Sequence, residues 1–301
     1  MSEPIALLVN PAAGKGRALR AAQEAGQVLS GHGYEVRVLS GPDPAGSLEL
    51  ARQIVADGET LVAVGGDGLV HLALQAVAGT DARFGIIPAG TGNDIARSAG
   101  LPLADLAGAA EIIAAGHIWP IDAAHTVDAV GAVRWFGTIL AAGFDAKVTE
   151  RGNRTAWLPR ALRYNVAVFA ELPVFSPIPY LLEIDGEVSE LPAMLIAVGN
   201  TPYYGKGMMM CPDAVLDDGL LDLTIVHPVS RFQLVKIFPK VYSGRHVAHP
   251  RVEVRRGVQV RIDSPGVLGY ADGEPLGGLP MTITAVPGAV RLLAPTPIPS
   301  A

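Results

Sequence analysis

Four times between residues 5 and 97 the chain repeats one pattern: a short apolar run, a loop, then an amphipathic stretch. The apolar runs are Ile5–Val9, 34–39, 61–64 and 84–87, and the helical stretches begin near Arg17, near Ala45, directly after Gly68 and near Asn93. Strands that alternate with helices in this way build a parallel sheet with helices on both faces. Such a sheet binds its ligand in the crevice at the carboxyl ends of its strands. This constraint places the loops that follow the strands at the centre of any functional reading.

Beyond about Ile121 the rhythm is lost. Short β-rich runs follow at 135–140, 180–184, 193–198, 221–226, 252–254, 258–262 and 281–285, with helical stretches only at 159–170 and 231–242. Pro, Gly and Asp separate them, as in a mainly antiparallel sandwich. The expected fold class is therefore α/β: an N-terminal parallel-sheet domain, then a C-terminal, mainly antiparallel β-sandwich. With 301 residues, half of them hydrophobic and 17% charged, the chain can fill two cores. A net charge of −6 argues against a nucleic-acid binder. The single cysteine, Cys211, excludes an internal disulfide and fits a reducing compartment. No signal peptide and no run of eighteen apolar residues is visible, so the expectation is a cytoplasmic protein with at most peripheral membrane contact.

Three strand-to-helix turns are rich in glycine: "VNPAAGKGRA" (9–18), "VGGDGLVH" (64–71) and "PAGTGNDIAR" (88–97). Glycine lets a backbone come close to a ligand, and a helix N-terminus offers unpaired N–H groups and partial positive charge to a phosphate. Any one of these turns also serves as a plain strand-to-helix connection; three on one sheet would converge on one crevice. The P-loop signature is absent, and "GKGRAL" matches only half of the dinucleotide-binding pattern. Asp67 and Asp94 sit at helix N-termini, where they fit two roles: helix capping, or a magnesium-organising pair beside a triphosphate. Lys15 fits a phosphate contact or a solvated surface position.

Across most of its length, from Val9 to Pro295, the chain resembles the bacterial diacylglycerol kinase-like lipid kinases, the superfamily that includes sphingosine and ceramide kinases. The resemblance rests on "NPAAGKG", "GGDG", "IPAGTGNDIAR", "PIDAA", "AAGFDA", "PDAVLDDGLLDL" and "YADGEPLGGLP". It implies an α/β nucleotide-binding domain related to NAD kinase and phosphofructokinase over 1–122, rejoined by 287–295, and a sandwich for the lipid substrate over 123–286. It implies ATP-dependent phosphorylation of a lipid hydroxyl, with Mg2+ as cofactor and diacylglycerol as the expected substrate. By the same resemblance Asn10, Pro11, Ala12, Ala13, Gly14 and Lys15 would cradle the nucleotide phosphates. So would Gly65, Gly66, Asp67 and Gly68, with Ser40, Thr91, Gly92 and Asn93 adding contacts. Asp67 and Asp94, with Asp122 nearby, would organise magnesium and water. Glu274 would be the general base, beside Asp272. Val215, Asp218 and Leu220 would hold a structural magnesium through two carbonyls and one carboxylate. Asp-Gly at 218–219 and 272–273 is equally an ordinary hairpin turn, and the two roles are compatible.

Two departures stand out. The family usually follows Gly-Gly-Asp-Gly with threonine and then Asn-Glu; here Leu69, His71 and Leu72 stand in those places. Leu69, Leu72, Ala73, Ala76 and Val77 form one helical apolar stripe, which assigns both leucines to the core and His71 with Gln75 to another face. The second departure is Thr138, where asparagine is usual. A kinase with altered nucleotide contacts is the expectation; an NAD kinase-like enzyme and a catalytically silent lipid-binding protein are the alternatives. A lipid substrate also calls for a membrane-facing surface. Residues 146–164 carry Lys147, Arg151, Arg154, Arg160 and Arg163 against one acid, with Trp157 and Tyr164 interleaved, and suit either anionic lipid or a solvated face. The oligomeric state is not fixed by the sequence, and the class admits homodimers.

Overall fold

A computed structural model describes residues 4–10, 16–143, 176–205 and 207–295. The chain divides into two compact units. The first comprises Met1–Ala123, Leu216–Gly219 and Val286–Ala301, and the second Ala124–Val215 and Leu220–Ala285.

The first unit runs β1 (Ile5–Val9), α1 (Arg17–Gly31), β2 (Val36–Leu39), α2 (Pro44–Ala56), β3 (Thr60–Gly65), α3 (Asp67–Val77), β4 (Arg83–Pro88), α4 (Asp94–Ser98), α5 (Leu106–Ala115) and the start of β5 (Ile118–Val127). Its sheet has the order β2-β1-β3-β4, all parallel. The end of the chain's last strand adds a further parallel neighbour, with Arg291 opposite Arg83. Every residue of β1 and β3 is buried, as a sheet covered on both faces requires. Alanines at 18, 21, 22 and 25 line the inner face of α1 and pack with Leu29 on Leu7, Val62 and Val64. Asp43 and Asp105 cap α2 and α5, accepting the N–H groups of Gly46 and Gly108 at 2.7 and 2.8 Å. Strand order reverses between β1 and β3. That switch point is where ligands bind in such sheets, and two of the three Gly-rich turns leave the sheet there.

The second unit is antiparallel. It contains β6 (Val133–Phe136), β7 (Ile139–Gly143), β8 (Ile178–Ile184), β9 (Glu187–Ala193), β10 (Leu195–Gly199), the short β11 (Tyr203–Tyr204) and β12 (Met208–Met209), and β13 (Leu221–Val226). Then come α6 (Arg231–Ile237), two 3-10 turns (Phe238–Ser243 and Arg245–Ala248), β14 (Val252–Gly257), β15 (Gln259–Asp263), β16 (Leu268–Ala271), β17 (Glu274–Gly278) and β18 (Met281–Leu293). One sheet has the order β14-β13-β10-β7-β16-β17. The other joins β9, β8, β15 and the first residues of β18. Leu140, Ile196, Val198, Leu223 and Ile225 of the first share one core with Tyr180, Leu182, Val260, Ile262 and Ile283 of the second.

The α/β-plus-sandwich class is as expected, with differences in detail. The strand expected at 135–140 is two strands, broken at Gly137 and Thr138, where the Asn200 N–H donates to the Thr138 carbonyl at 2.8 Å. The helix expected at 231–242 tightens to 3-10 geometry from Phe238, because Pro239 has no N–H for the α pattern. Helix α5 and strands β5, β9, β16 and β17 had no sequence expectation. The expected helix at 159–170 and the basic stretch at 146–164 lie outside the described residues. Among the described residues no helix is long and apolar enough to cross a membrane.

Candidate active site

In the first unit the turn after β3 and the turn after β4 lock together. Asp67, the first residue of α3, caps neither its own helix nor a neighbour in sequence. Its Oδ2 accepts the Asn93 N–H at 3.0 Å and its Oδ1 accepts the Asp94 N–H at 2.7 Å. The carboxylate thus caps α4 from 26 residues away. Asn93 takes left-handed backbone (φ 56°), and its side chain closes the loop on itself, accepting from Gly90 N–H at 3.1 Å and donating to Gly90 O at 3.3 Å. The two turns touch backbone to backbone: a Cβ on Gly90 would lie 2.4 Å from Gly66 Cα, and one on Gly92 would lie 2.3 Å from Asp67 Oδ2. That same point is 3.5 Å from Asp94 Oδ2, so the Asp67 and Asp94 carboxylates converge over Gly92.

Gly68 is different. It is exposed, has ordinary backbone, and a Cβ there would meet nothing within 4 Å. Packing gives no reason for glycine, whereas an open helix N-terminus does. The first N–H groups of α3 have no intrahelical acceptor, and Gly66 at the cap position supplies no side chain to cover them. This is the geometry that receives a phosphate.

Leu69 is buried, as its stripe requires, but Leu72 is only half-buried. Val70 and Leu74 complete the buried face instead, because α3 packs against both α2 and the sheet at β3 and β4. His71 is half-buried, and Gln75 donates to its backbone carbonyl at 3.0 Å.

Asp122 is 2% exposed and acts as a clamp within this unit. Its Oδ2 accepts from Gly219 N–H at 2.6 Å, its Oδ1 from Gly288 N–H at 2.8 Å, and its own N–H donates to Leu216 O at 2.7 Å. Burial raises its pKa, the two backbone donors oppose that rise, and the nearby Asp218 and Asp217 charges add to it. Asp217 accepts the Trp119 indole N–H at 2.8 Å, and Asp218 is exposed in the same loop. Asn10, Ser40 and Thr91 are exposed at the ends of their strand or turn. Residues 11–15 lie outside the described residues. Val215 and Leu220 flank the 216–219 loop in sequence but belong to the second unit. Among the described residues no cluster of three or more His, Cys, Asp or Glu is placed to hold a metal. The exposed Asp218 carboxylate is a hard-oxygen donor of the kind magnesium takes while keeping several waters.

In the second unit Asp272 and Gly273 form the two-residue turn between β16 and β17, both with positive φ (55° and 86°) and with Ala271 paired to Glu274. That is the turn type that suits the twist of a hairpin. Asp272 takes the Thr138 hydroxyl as hydrogen-bond donor across 134 residues of sequence. Thr138 is buried, and the peptide on either side of it is held by Asn200, whose Nδ2 donates to Gly137 O at 3.3 Å. Glu274 follows this anchored turn, exposed, and its carboxylate has no hydrogen bond or ion pair among the described residues. Asn200 is a position that motif reading missed; a buried polar residue ending an apolar strand is the signal that marks it. Cys211 plays no such part. Its thiol is buried, donates to Asp222 O at 3.3 Å, and is pushed up to about 12 by burial.

Two family models match the chain: the diacylglycerol kinase catalytic domain over residues 4–126 and the YegS C-terminal NAD kinase beta sandwich-like domain over residues 138–294. A diacylglycerol kinase of Mycobacterium tuberculosis is 41% identical over 293 residues, covering 97% of this chain and 95% of that one. A diacylglycerol kinase of Staphylococcus aureus is 28% identical over 298 residues, covering 97% and 92%. A crystal structure of a diacylglycerol kinase from Bacillus anthracis superposes with a TM-score of 0.74 at 21% identity, covering 97% of each chain, and shares the fold.

Proposed function

The chain belongs to the bacterial diacylglycerol kinase-like lipid kinases, and from that premise we propose that it transfers the γ-phosphate of ATP to the hydroxyl of diacylglycerol, yielding phosphatidic acid and ADP. The observation that carries the proposal is the uncovered N-terminus of α3 at Gly68, beside two converging carboxylates.

In this reading the first unit binds the nucleotide. The backbone N–H groups at Gly66–Gly68 face the phosphates, and Asp67 holds the second glycine turn in register. Phosphoryl transfer has a loose transition state, so positioning and charge neutralisation carry most of the catalysis. Magnesium, when bound by Asp94 and water beside Asp67, supplies positive charge to the phosphate oxygens. The second unit supplies the base and the lipid contacts. Glu274 takes the proton from the lipid hydroxyl as the new O–P bond forms and the bond to the ADP oxygen breaks. An exposed carboxylate on a rigid hairpin suits this task, because the acceptor hydroxyl needs orientation more than a strong base. The reaction runs at a membrane surface, where the lipid substrate resides.

The test is γ-labelled ATP offered with diacylglycerol, ceramide, sphingosine and NAD in parallel. Label in phosphatidic acid, dependent on magnesium, is the expected result. Label on NAD, or on none of the four, overturns the proposal.

A further inference from the structure

We propose that residues 231–245 of the second unit form its docking surface for an anionic lipid bilayer, with Phe232 and Tyr242 entering the interface. The inference rests on the lipid-substrate reading only for its purpose; its evidence is separate.

Helix α6 and the 3-10 turn after it separate two jobs by face. Leu234, Ile237 and Val241 point inward and are buried, closing an apolar cavity with Leu195, Met210 and Val226. The outward residues do nothing for that core. Phe232 is 69% exposed, Tyr242 52% and Val235 45%. Large apolar side chains collected on one element in this way mark a binding surface rather than scatter.

Charge selects the partner. Between Asp222 and Glu253 the sequence has no acidic residue but carries Arg231, Lys236, Lys240, Arg245 and Arg251, in a chain of net charge −6. None of the first four has an acidic partner among the described residues, and all four are exposed. Lys236 lies 4.3 Å over the Phe232 ring, and Phe238 meets Tyr242 edge-on with ring centroids 6.4 Å apart. An aromatic side chain with a cation beside it is the arrangement that places a ring at headgroup level and a charge on the phosphates. The helix is held ready for this: Ser230 and Gln233 form a reciprocal capping box, at 3.3 Å to the Gln233 N–H and 2.9 Å from the Ser230 N–H. A nucleic acid would use the same charges but would leave Val235 and Tyr242 without a role.

The test is co-sedimentation of the full chain with vesicles of phosphatidylcholine alone or mixed with phosphatidylglycerol. Wild type should bind the anionic vesicles and release in high salt. Lys236→Glu with Lys240→Glu should weaken binding by on the order of tenfold or more, since each basic side chain near the surface contributes several-fold. Phe232→Ser with Tyr242→Ser should weaken it on both compositions. Melting temperature and turnover of a monomeric short-chain diacylglycerol should stay at wild-type levels in all of them. The surface proposal is overturned if wild type ignores both vesicles, if charge reversal leaves binding unchanged, or if the variants alter self-association measured by light scattering instead. Vesicle binding that behaves as expected, in a protein that phosphorylates no lipid, would sink the functional reading and leave the surface standing.

Discussion

The glycine turns of the first unit and the Asp-Gly hairpin of the second both present carboxylates, and they use them in opposite ways. Asp67 spends both oxygens on backbone N–H groups, and Asp122 does the same at Gly219 and Gly288. In the hairpin the roles are split between neighbours: Asp272 is held by Thr138, and Glu274 two residues later has no partner among the described residues. Where a carboxylate is consumed by backbone donors, it shapes the loop around it. Where an adjacent residue takes over the anchoring, the carboxylate stays open, as the proposed general base requires. Motif reading places Asp67 and Glu274 in one catalytic set, but their surroundings give them different work.

The difference is broken most directly by removing each side chain in turn. Glu274→Gln keeps shape and hairpin, so the melting temperature should hold while turnover falls by about 10²–10⁴-fold, the usual contribution of a general base. Asp67→Ala should do the reverse in kind. It strands two backbone N–H groups at a buried loop junction and should cost about 2–4 kcal/mol of stability, with activity lost through disorder of the turn. Steady-state kinetics alongside thermal melts distinguishes the cases. If Glu274→Gln turns over normally, or if Asp67→Ala melts with wild type, the division of labour drawn here is wrong.

Glycines sharpen the same comparison at smaller scale. Gly90→Ala drives a methyl to 2.4 Å from Gly66 Cα and should destabilise the first unit by about 1–3 kcal/mol. Gly68→Ala meets no atom within 4 Å and exchanges glycine for the best helix former, so stability should hold or rise by up to about 1 kcal/mol. Its methyl nonetheless stands over the N-terminus of α3, and KM for ATP should rise. A variant that is more stable and binds nucleotide less well identifies the glycine as one kept for the ligand.

These contrasts also mark how far sequence reasoning reached. The fold class was legible because it is written in periodicity: strand, turn and helix alternate up to Arg97, and short runs separated by Pro, Gly and Asp follow. What sequence could not yield are contacts between distant positions. Nothing near Asp67 indicates that it caps a helix 26 residues on. Nothing near Thr138 points to Asp272, so the replacement of asparagine there had no reading until the hydroxyl was seen on the hairpin. Gly66, Gly68, Gly90 and Gly92 are one letter in the sequence, yet three answer to protein atoms and one does not. Leu72 misses the core for a related reason: helical period predicts a stripe, and the packing of α3 against α2 and the sheet decides its width.

The two units also diverge in how their buried ionisable groups respond to acid. His246 in the second unit is fully buried, with Nε2 against the Met210 carbonyl at 3.0 Å. Burial lowers its pKa below 6.5, outweighing that hydrogen bond. The folded state then holds fewer protons than the unfolded chain once pH drops below 6.5, so stability present above that value is lost as pH falls from there toward the folded pKa. Asp122 in the first unit has its pKa raised above 3.8. Its folded state holds more protons than the unfolded chain between those two values, and acidification through that lower window favours the fold. Melting temperatures between pH 7.5 and 5.5 should therefore fall for wild type and stay flatter for His246→Gln, whose amide can still donate to Met210. Equal slopes for the two proteins would move the acid sensitivity to another group. A flat Gln variant would assign the acid sensitivity in this range to His246 in the core of the second unit.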